Sequence, residues 1–216
     1  MNRQMSDLQC FAYDNHIEEF VHFTNERNLL SILCRGVLSR KVLQENNIPF
    51  EYNDEKRLDG MLDAVSLSVT APNYLMFYKY RALKEKSIWV VITFDSQKIL
   101  EYKCSFYRAN AACMDSCQFK KEERQNVNSF EEMFSDWDPY HNRWSLDLGS
   151  NETTNPQAEV MVFDAIPISC ISRIVFQNER LLKKYTPLLV KLGITSVYGK
   201  YFFSPRRDYK YWTKTA

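Results

Sequence analysis

Residues 20–39 read FVHFTNERNLLSILCRGVLS, and the change of period along this stretch decides what kind of fold the chain can make. Phe20 and Val21 belong to an apolar run that reads as a strand over 18–23. From Asn25 onward the period lengthens: Leu29, Ile32 and Leu33 fall at helical spacing. Asn25 can cap the start of that helix, and Gly36 can supply the left-handed residue past its end. Strand side chains alternate, so His22 and Thr24 share the face opposite Phe23. The chain has three histidines, and this one stands beside a hydroxyl where a strand gives way to a helix. Ordinary packing is one reading of that pair. The other is that an imidazole and a hydroxyl side by side grip a diol such as a ribose.

Working outward, the elements are mixed in order. Residues 40–63 are charged and carry an Asn-Asn-x-Pro turn signal, which predicts irregular structure or a short helix. AVSLSV (64–69) alternates like a strand, Thr70-Ala-Pro-Asn73 turns the chain, and the segment from Asn73 to Glu85 reads as a helix. SIWVVITFD (87–95) is the strongest buried strand, and SQKILEY (96–102) starts as one helical turn. Residues 103–157 are the least regular, with a short helix at SFEEMF (129–134) and turn chemistry through GSNETTNPQ (149–157). Strands follow at AEVMVFDAI and ISRIVF, then a helix from Asn178 to Gly193, a short strand ITSVYG, and the basic, aromatic end KYFFSPRRDYKYWTKTA (200–216). Strands outnumber helices without a regular βαβ alternation, which predicts an α+β fold. Residues 1–216 suit a single domain, with 103–157 as an irregular insertion.

Composition narrows the function. Hydrophobic residues make up 45% of the chain, enough for a sizeable core. Twenty-eight basic and 27 acidic side chains leave a net charge of +1, so nucleic-acid contact must come from local patches. Six cysteines form no Cys-x-x-Cys pair, which leaves a zinc site weakly supported. The polar start and the lack of a long apolar run predict neither a signal peptide nor a membrane span, and free thiols predict a cytoplasmic protein. No dinucleotide-binding glycine motif, P-loop, nucleophile elbow or His-Glu-x-x-His occurs, which removes most dehydrogenase, kinase and hydrolase readings.

Three features can carry chemistry. The first is the His22–Thr24 pair. The second is Glu159, which opens the apolar strand VMVF: an exposed strand-start glutamate on the plainer reading, or a carboxylate that stabilises a developing cation. The third is the segment RLDGMLDAVSLSVTAPNYLMFYKYR (57–81). Its strand hydroxyls Ser66 and Ser68 point the same way, and its helix carries Tyr74, Tyr78 and Arg81 near one face. Such an aromatic stripe is more often core than cofactor pocket.

Taken in order, these motifs resemble the DarT family of ADP-ribosyltransferases. His22, Thr24, Asn28-Leu29, Ile32 and Gly36 match the family's opening pattern. VSLSVTAPNYLMFYKYR looks like the strand–turn–helix of the branch with a Ser-x-Ser strand and a Pro-Asn-Tyr turn. QAEVMV is similar to the strand that carries the catalytic glutamate. The resemblance runs from residue 20 to about 177. It implies an ADP-ribosyltransferase fold, a split β-sandwich of two mostly antiparallel sheets with an NAD cleft. It implies NAD as co-substrate, no metal, and transfer to a base of single-stranded DNA, leaning towards guanine over thymine in this branch. It also implies a toxin role beside an antitoxin that is an ADP-ribosyl hydrolase, macrodomain-type or related.

The site residues implied are these. His22, Thr24 and Asn28, with Ser68, would hold NAD; Tyr74 or Tyr78 would stack on nicotinamide; Glu159 would hydrogen-bond the nicotinamide ribose and stabilise the cationic sugar. Arg57 matches the family's arginine, with Arg40 as competitor for that role. Stacking surfaces with interspersed cations suit a single strand. Tyr140, His141, Arg143 and Trp144 offer one such surface ahead of Glu159. Arg206, Arg207, Lys210 and Tyr211 offer another, in a tail with five basic residues and one acidic. A transferase acting on RNA or protein, and a catalytically silent nucleic-acid-binding module, are the competing readings.

Overall fold

The computed structural model describes residues 4–52, 60–83, 87–113, 116, 118–137 and 142–213. In chain order the main elements are α1 (Asp7–Asp14), β1 (Glu19–Asn25), α2 (Leu29–Arg35), α3 (Arg40–Glu45), β2 (Val65–Val69), α4 (Tyr74–Leu83), β3 (Trp89–Asp95), α5 (Ser96–Ile99), β4 (Cys104–Tyr107), α6 (Val127–Glu131), β5 (Glu159–Val162), β6 (Ile171–Phe176), α7 (Glu179–Lys191), β7 (Thr195–Tyr198) and α8 (Tyr209–Trp212). The seven strands lie in the order β4-β5-β2-β1-β3-β6-β7. Every neighbouring pair is antiparallel except β6 and β7. The chain adopts the α+β class expected from the sequence; the mostly antiparallel strands, which the resemblance implied as two sheets of a split β-sandwich, are joined through β2 in one seven-stranded sheet.

The split lies at β2. Its first half, Val65 to Leu67, pairs with β5, and its end, Ser68 and Val69, pairs with Val21 and Phe20 of β1. β1 pairs with β3 over its full length, from Glu19↔Asp95 to Asn25↔Trp89. From His22 onward, then, β1 keeps its partner on one side and loses β2 on the other. The two sub-sheets β4-β5-β2 and β1-β3-β6-β7 part company there, and a gap opens between the ends of two strands.

One large core binds both halves. Phe20, Val65, Leu67, Val90, Ile92, Phe106, Val160 and Phe176 meet α2 through Leu29, Ile32 and Leu33, and α7 through Leu181, Tyr185 and Leu189. On the other side Val21, Trp89, Val91 and Val175 pack against Phe77 of α4 and against Phe203. A sheet covered on both faces explains why β3 is buried at every position from Trp89 to Phe94 instead of alternating.

The helix that follows β1 ends as the sequence predicts. Gly36 has φ +80°, and a Cβ there would sit 2.4 Å from the carbonyl oxygen of Ile166. That close approach lets Val37 exchange both backbone hydrogen bonds with Ile166, at 2.8 and 2.9 Å. Three elements, α1, β4 and α8, escaped the sequence reading. α1 begins with a capping box, in which Gln9 N–H donates to the Ser6 hydroxyl and Ser6 N–H to the Gln9 side chain. β4 is four residues long and fully buried inside a stretch read as irregular. The basic end forms a short 3-10 turn, Tyr201–Phe203, and then α8.

Candidate active site

The gap between β1 and β2 is the mouth of a cleft of about 220 Å³. β1 contributes His22 and Thr24, β2 contributes Ser66 and Ser68, and Glu159 comes from the start of β5. These residues are far apart in sequence and meet only because β2 pairs with both neighbours.

Ser66 joins the two walls. Its hydroxyl donates to Glu159 Oε1 at 2.9 Å, and its carbonyl oxygen lies 3.1 Å from His22 Nδ1. A carbonyl only accepts, so His22 donates from Nδ1, and in the neutral ring the lone pair stands on Nε2. The second carboxylate oxygen of Glu159 accepts from Ala111 N–H at 2.8 Å. Glu159 is 7% exposed. The plainer reading of an exposed strand-start glutamate therefore fails: the carboxylate is buried, oriented through both oxygens, and turned into the cleft. Sequence alternation singled out Ser66 only as a partner of Ser68; its link to Glu159, 93 residues away, leaves no local trace.

Thr24 and Asn28 work as a pair. Asn28 Nδ2 donates to Thr24 Oγ1 at 2.9 Å and to the Glu51 carbonyl at 2.7 Å, while Asn28 Oδ1 accepts from Glu51 N–H at 2.8 Å. Asn28 therefore clamps the chain at 51 over the cleft, which positions Glu51 and Tyr52 in its wall. Arg40, also in the wall, places its guanidinium 4.5 Å from the centre of the Tyr52 ring. Arg57 lies outside the described residues, so of the two candidate arginines the described cleft contains Arg40.

The tyrosines of α4 are placed differently from expectation. Tyr74 is buried and donates to Asp208 at 3.2 Å; burial, with the Asp208 charge beside it, pushes its phenol well above the ordinary range. Tyr78 is 57% exposed. Neither lines the cleft, and Met76 and Tyr80 do. Helical spacing correctly puts Tyr74 and Tyr78 on one stripe. Positions 76 and 80 lie about 200° round the helix from them, and that stripe faces the cleft. Ser68 lines the cleft, but its hydroxyl accepts from Asn73 N–H at 3.1 Å and so holds the turn into α4.

The proposed nucleic-acid residues divide in two. Trp144 is 91% exposed, an open stacking surface. Arg143, Arg206 and Arg207 are occupied. Arg143 donates to the carbonyls of Gly149 and Glu152 at 2.5 and 2.7 Å and stitches its own loop together. Arg206 is buried against Asp208, with hydrogen bonds of 2.8 and 2.5 Å, and reaches Thr153 O at 2.9 Å. Arg207 pairs with Glu152 at 2.6 Å. Arg206 and Arg207 thus brace the loop that leads into Glu159. Tyr140 and His141 fall outside the described residues. Among the described residues no group of three or more His, Cys, Asp or Glu is placed to hold a metal ion, and no helix is long and apolar enough to cross a membrane.

Comparison with known proteins bears on the fold and the family. No curated protein sequence matches the chain. Among solved structures, Thermosipho africanus DarTG in complex with ADP-ribose is similar over 87% of this chain and 52% of its own, at 17% identity and a TM-score of 0.62. This chain thus spans about half of that relative's length. Thermus sp. 2.9 DarT in complex with ADP-ribosylated ssDNA matches over 93% of this chain and 98% of its own, at 13% identity and a TM-score of 0.55. The same protein in complex with NAD+ matches over 85% and 96%, with a TM-score of 0.51. At these identities the likeness is one of fold. The family model for DarT, the ssDNA thymidine ADP-ribosyltransferase, matches residues 21–203. With most of its length matched, and with His22, Ser66 and Glu159 gathered at the split of the sheet, the chain belongs to the DarT family of ssDNA ADP-ribosyltransferases.

Proposed function

We propose that this protein transfers ADP-ribose from NAD to a base of single-stranded DNA and releases nicotinamide. The observation that carries the reading is Glu159: a buried carboxylate, fixed by Ser66 and Ala111, facing His22 across the split. NAD supplies the reactive bond. The nicotinamide N-glycosidic bond breaks, its electron pair leaves with nicotinamide, and the sugar carbon passes through an oxocarbenium-like state. Glu159 stands where a fixed negative charge lowers the energy of that cationic sugar. A base nitrogen then bonds to the sugar carbon and loses its proton, which the Glu159 carboxylate can take up. His22 accepts a ribose hydroxyl at Nε2, with Thr24 alongside. Arg40 supplies the fixed cation for the pyrophosphate, and Met76 and Tyr80 shape the nicotinamide end.

The acceptor must be unpaired, because a base nitrogen inside a duplex is already hydrogen-bonded and stacked. Guanine and thymine both offer a ring N–H beside a carbonyl, which adenine and cytosine lack. The Ser-x-Ser branch points to guanine, and the family description names thymidine. Four otherwise identical oligonucleotides, each with one variable base, decide the matter by mass shift. Addition of ADP-ribose to the guanine or thymine strand is expected. No addition to any strand would sink the DNA reading, and addition only to RNA or protein would replace it.

We further propose that residues 1–216 act as one catalytic unit in the cytoplasm. The free Cys10, Cys34, Cys104, Cys113 and Cys170 suit a reducing compartment. DNA modification of this kind is toxic to the cell that makes it, so a partner hydrolase that removes ADP-ribose is the expected antitoxin.

A further inference from the structure

Asn73 closes the turn between β2 and α4. Its N–H donates to the Ser68 hydroxyl at 3.1 Å, its carbonyl accepts from Phe77 N–H at 2.9 Å, and its Oδ1 accepts from Met76 N–H at 3.1 Å. Those bonds cap the helix. The remaining polar atom, Nδ2, is buried and has no hydrogen-bond partner among the described residues, although Asn73 is 3% exposed and lines the cleft beside Ser66, Ser68 and Glu159. Turning the amide over would set its NH2 against the Met76 N–H, donor to donor, so the cap fixes which end is left over. Capping does not require asparagine, since serine or aspartate would serve as well. The second arm of the amide is therefore surplus to the helix, and a buried donor without an acceptor is costly.

We infer that Asn73 Nδ2 is a ligand-binding donor, which receives an amide-type carbonyl oxygen next to the reacting sugar carbon. The inference rests on the activity proposed above. Glu159 only accepts and takes hydroxyls; Nδ2 only donates and takes an oxygen that carries no proton. Two ligands bring such a carbonyl to the neighbourhood of Glu159: the carboxamide of nicotinamide and the lactam of the acceptor base.

The test uses the full chain with Asn73→Ser, which keeps a capping oxygen and removes the donor. It also uses Asn73→Asp, which keeps the shape and replaces the donor by an acceptor. Melting temperature, NAD affinity by calorimetry and transfer to the oligonucleotide are measured for both. Asn73→Ser is expected to melt with the wild type. If the carbonyl is that of nicotinamide, the NAD dissociation constant rises three- to ten-fold. If it is that of the base, NAD affinity is kept and kcat/KM for the oligonucleotide falls by the same factor. Asn73→Asp is expected to lose more than ten-fold in the same quantity, and it carries the test should the serine variant fail to fold. Wild-type NAD affinity and transfer in both variants would overturn the assignment while leaving the proposed activity intact. A wild-type protein that binds no NAD would overturn both.

Discussion

At the scale of single residues, the chemistry sits on a carboxylate whose surroundings are unusually well defined. Glu159→Gln keeps the shape: the amide oxygen can still accept from Ala111 N–H, and the Ser66 hydroxyl can rotate to accept from the new NH2. The charge is lost and the packing is not. Transfer and nicotinamide release should fall by about 10²–10³-fold, in the range of losing one preorganised electrostatic contact. The melting temperature should hardly move. Activity within a few-fold of wild type would remove Glu159 from the mechanism. Trp144 and Arg206 make a second contrast. Trp144→Ala exposes nothing new and removes one stacking surface, so oligonucleotide affinity should weaken by roughly 1–3 kcal/mol with stability unchanged. Arg206→Met removes the only cation paired, among the described residues, with Asp208, whose side chain is fully buried, and should cost about 3–5 kcal/mol in urea denaturation. Per folded molecule it should bind the oligonucleotide as before. The reverse pattern would restore the tail as the DNA contact.

At the scale of elements, the handover from β1 to α2 positions the site, and Gly36 is its tightest point. With φ +80° and a backbone oxygen 2.4 Å from the place of a Cβ, Gly36→Ala must both strain the turn and push Ile166 away. A loss of roughly 1–3 kcal/mol is expected by denaturant titration, together with reduced activity from displacement of the α2 wall of the cleft. A neutral substitution would mean that the Val37–Ile166 bridge gives way at no cost. The existence of β1, α2, α4 and β5 is legible in the sequence because each has a clear period or cap. The stripe of α4 that meets the cleft is not. Spacing fixes that Tyr74 and Tyr78 lie together, and says nothing of which neighbour they meet. α8 takes that stripe, with Tyr209 against both rings.

At the scale of the whole molecule, elements far apart in the chain are tied by ion pairs that the near-zero net charge hides. Glu26, just past β1, accepts from Lys184 at 2.6 Å and from Tyr185, and so ties α7 to the active-site strand. Burial pushes its carboxyl up, but the Lys184 and Tyr185 hydrogen bonds more than offset this, and it sits below its ordinary value of 4.5. A depressed folded-state value stabilises the fold fully above the unfolded value and loses that contribution as pH falls through the folded one. The melting temperature should therefore be flat with respect to Glu26 above about pH 5.5 and decline as pH falls below about 4.5. Glu26→Gln should be less stable near neutral pH and show a shallower acid slope. An unchanged slope would show that Glu26 does not couple to folding.

By itself, the sequence determined the class of fold, the strand that ends in His22 and Thr24, the helix and glycine behind it, and the buried strand that begins at Glu159. Those features are local: they depend on period, on capping and on the order of short motifs. Only the tertiary structure decided that Ser66 bridges His22 and Glu159, that Asn28 clamps Glu51 rather than facing the cleft with a spare amide, and that Arg206 is neutralised by Asp208 and the Thr153 carbonyl. It also decided that Asn73 has a donor left over. A polar side chain's role follows from which partners reach it. Here the deciding partners are mostly tens of residues away, brought together by a sheet that splits at a single strand.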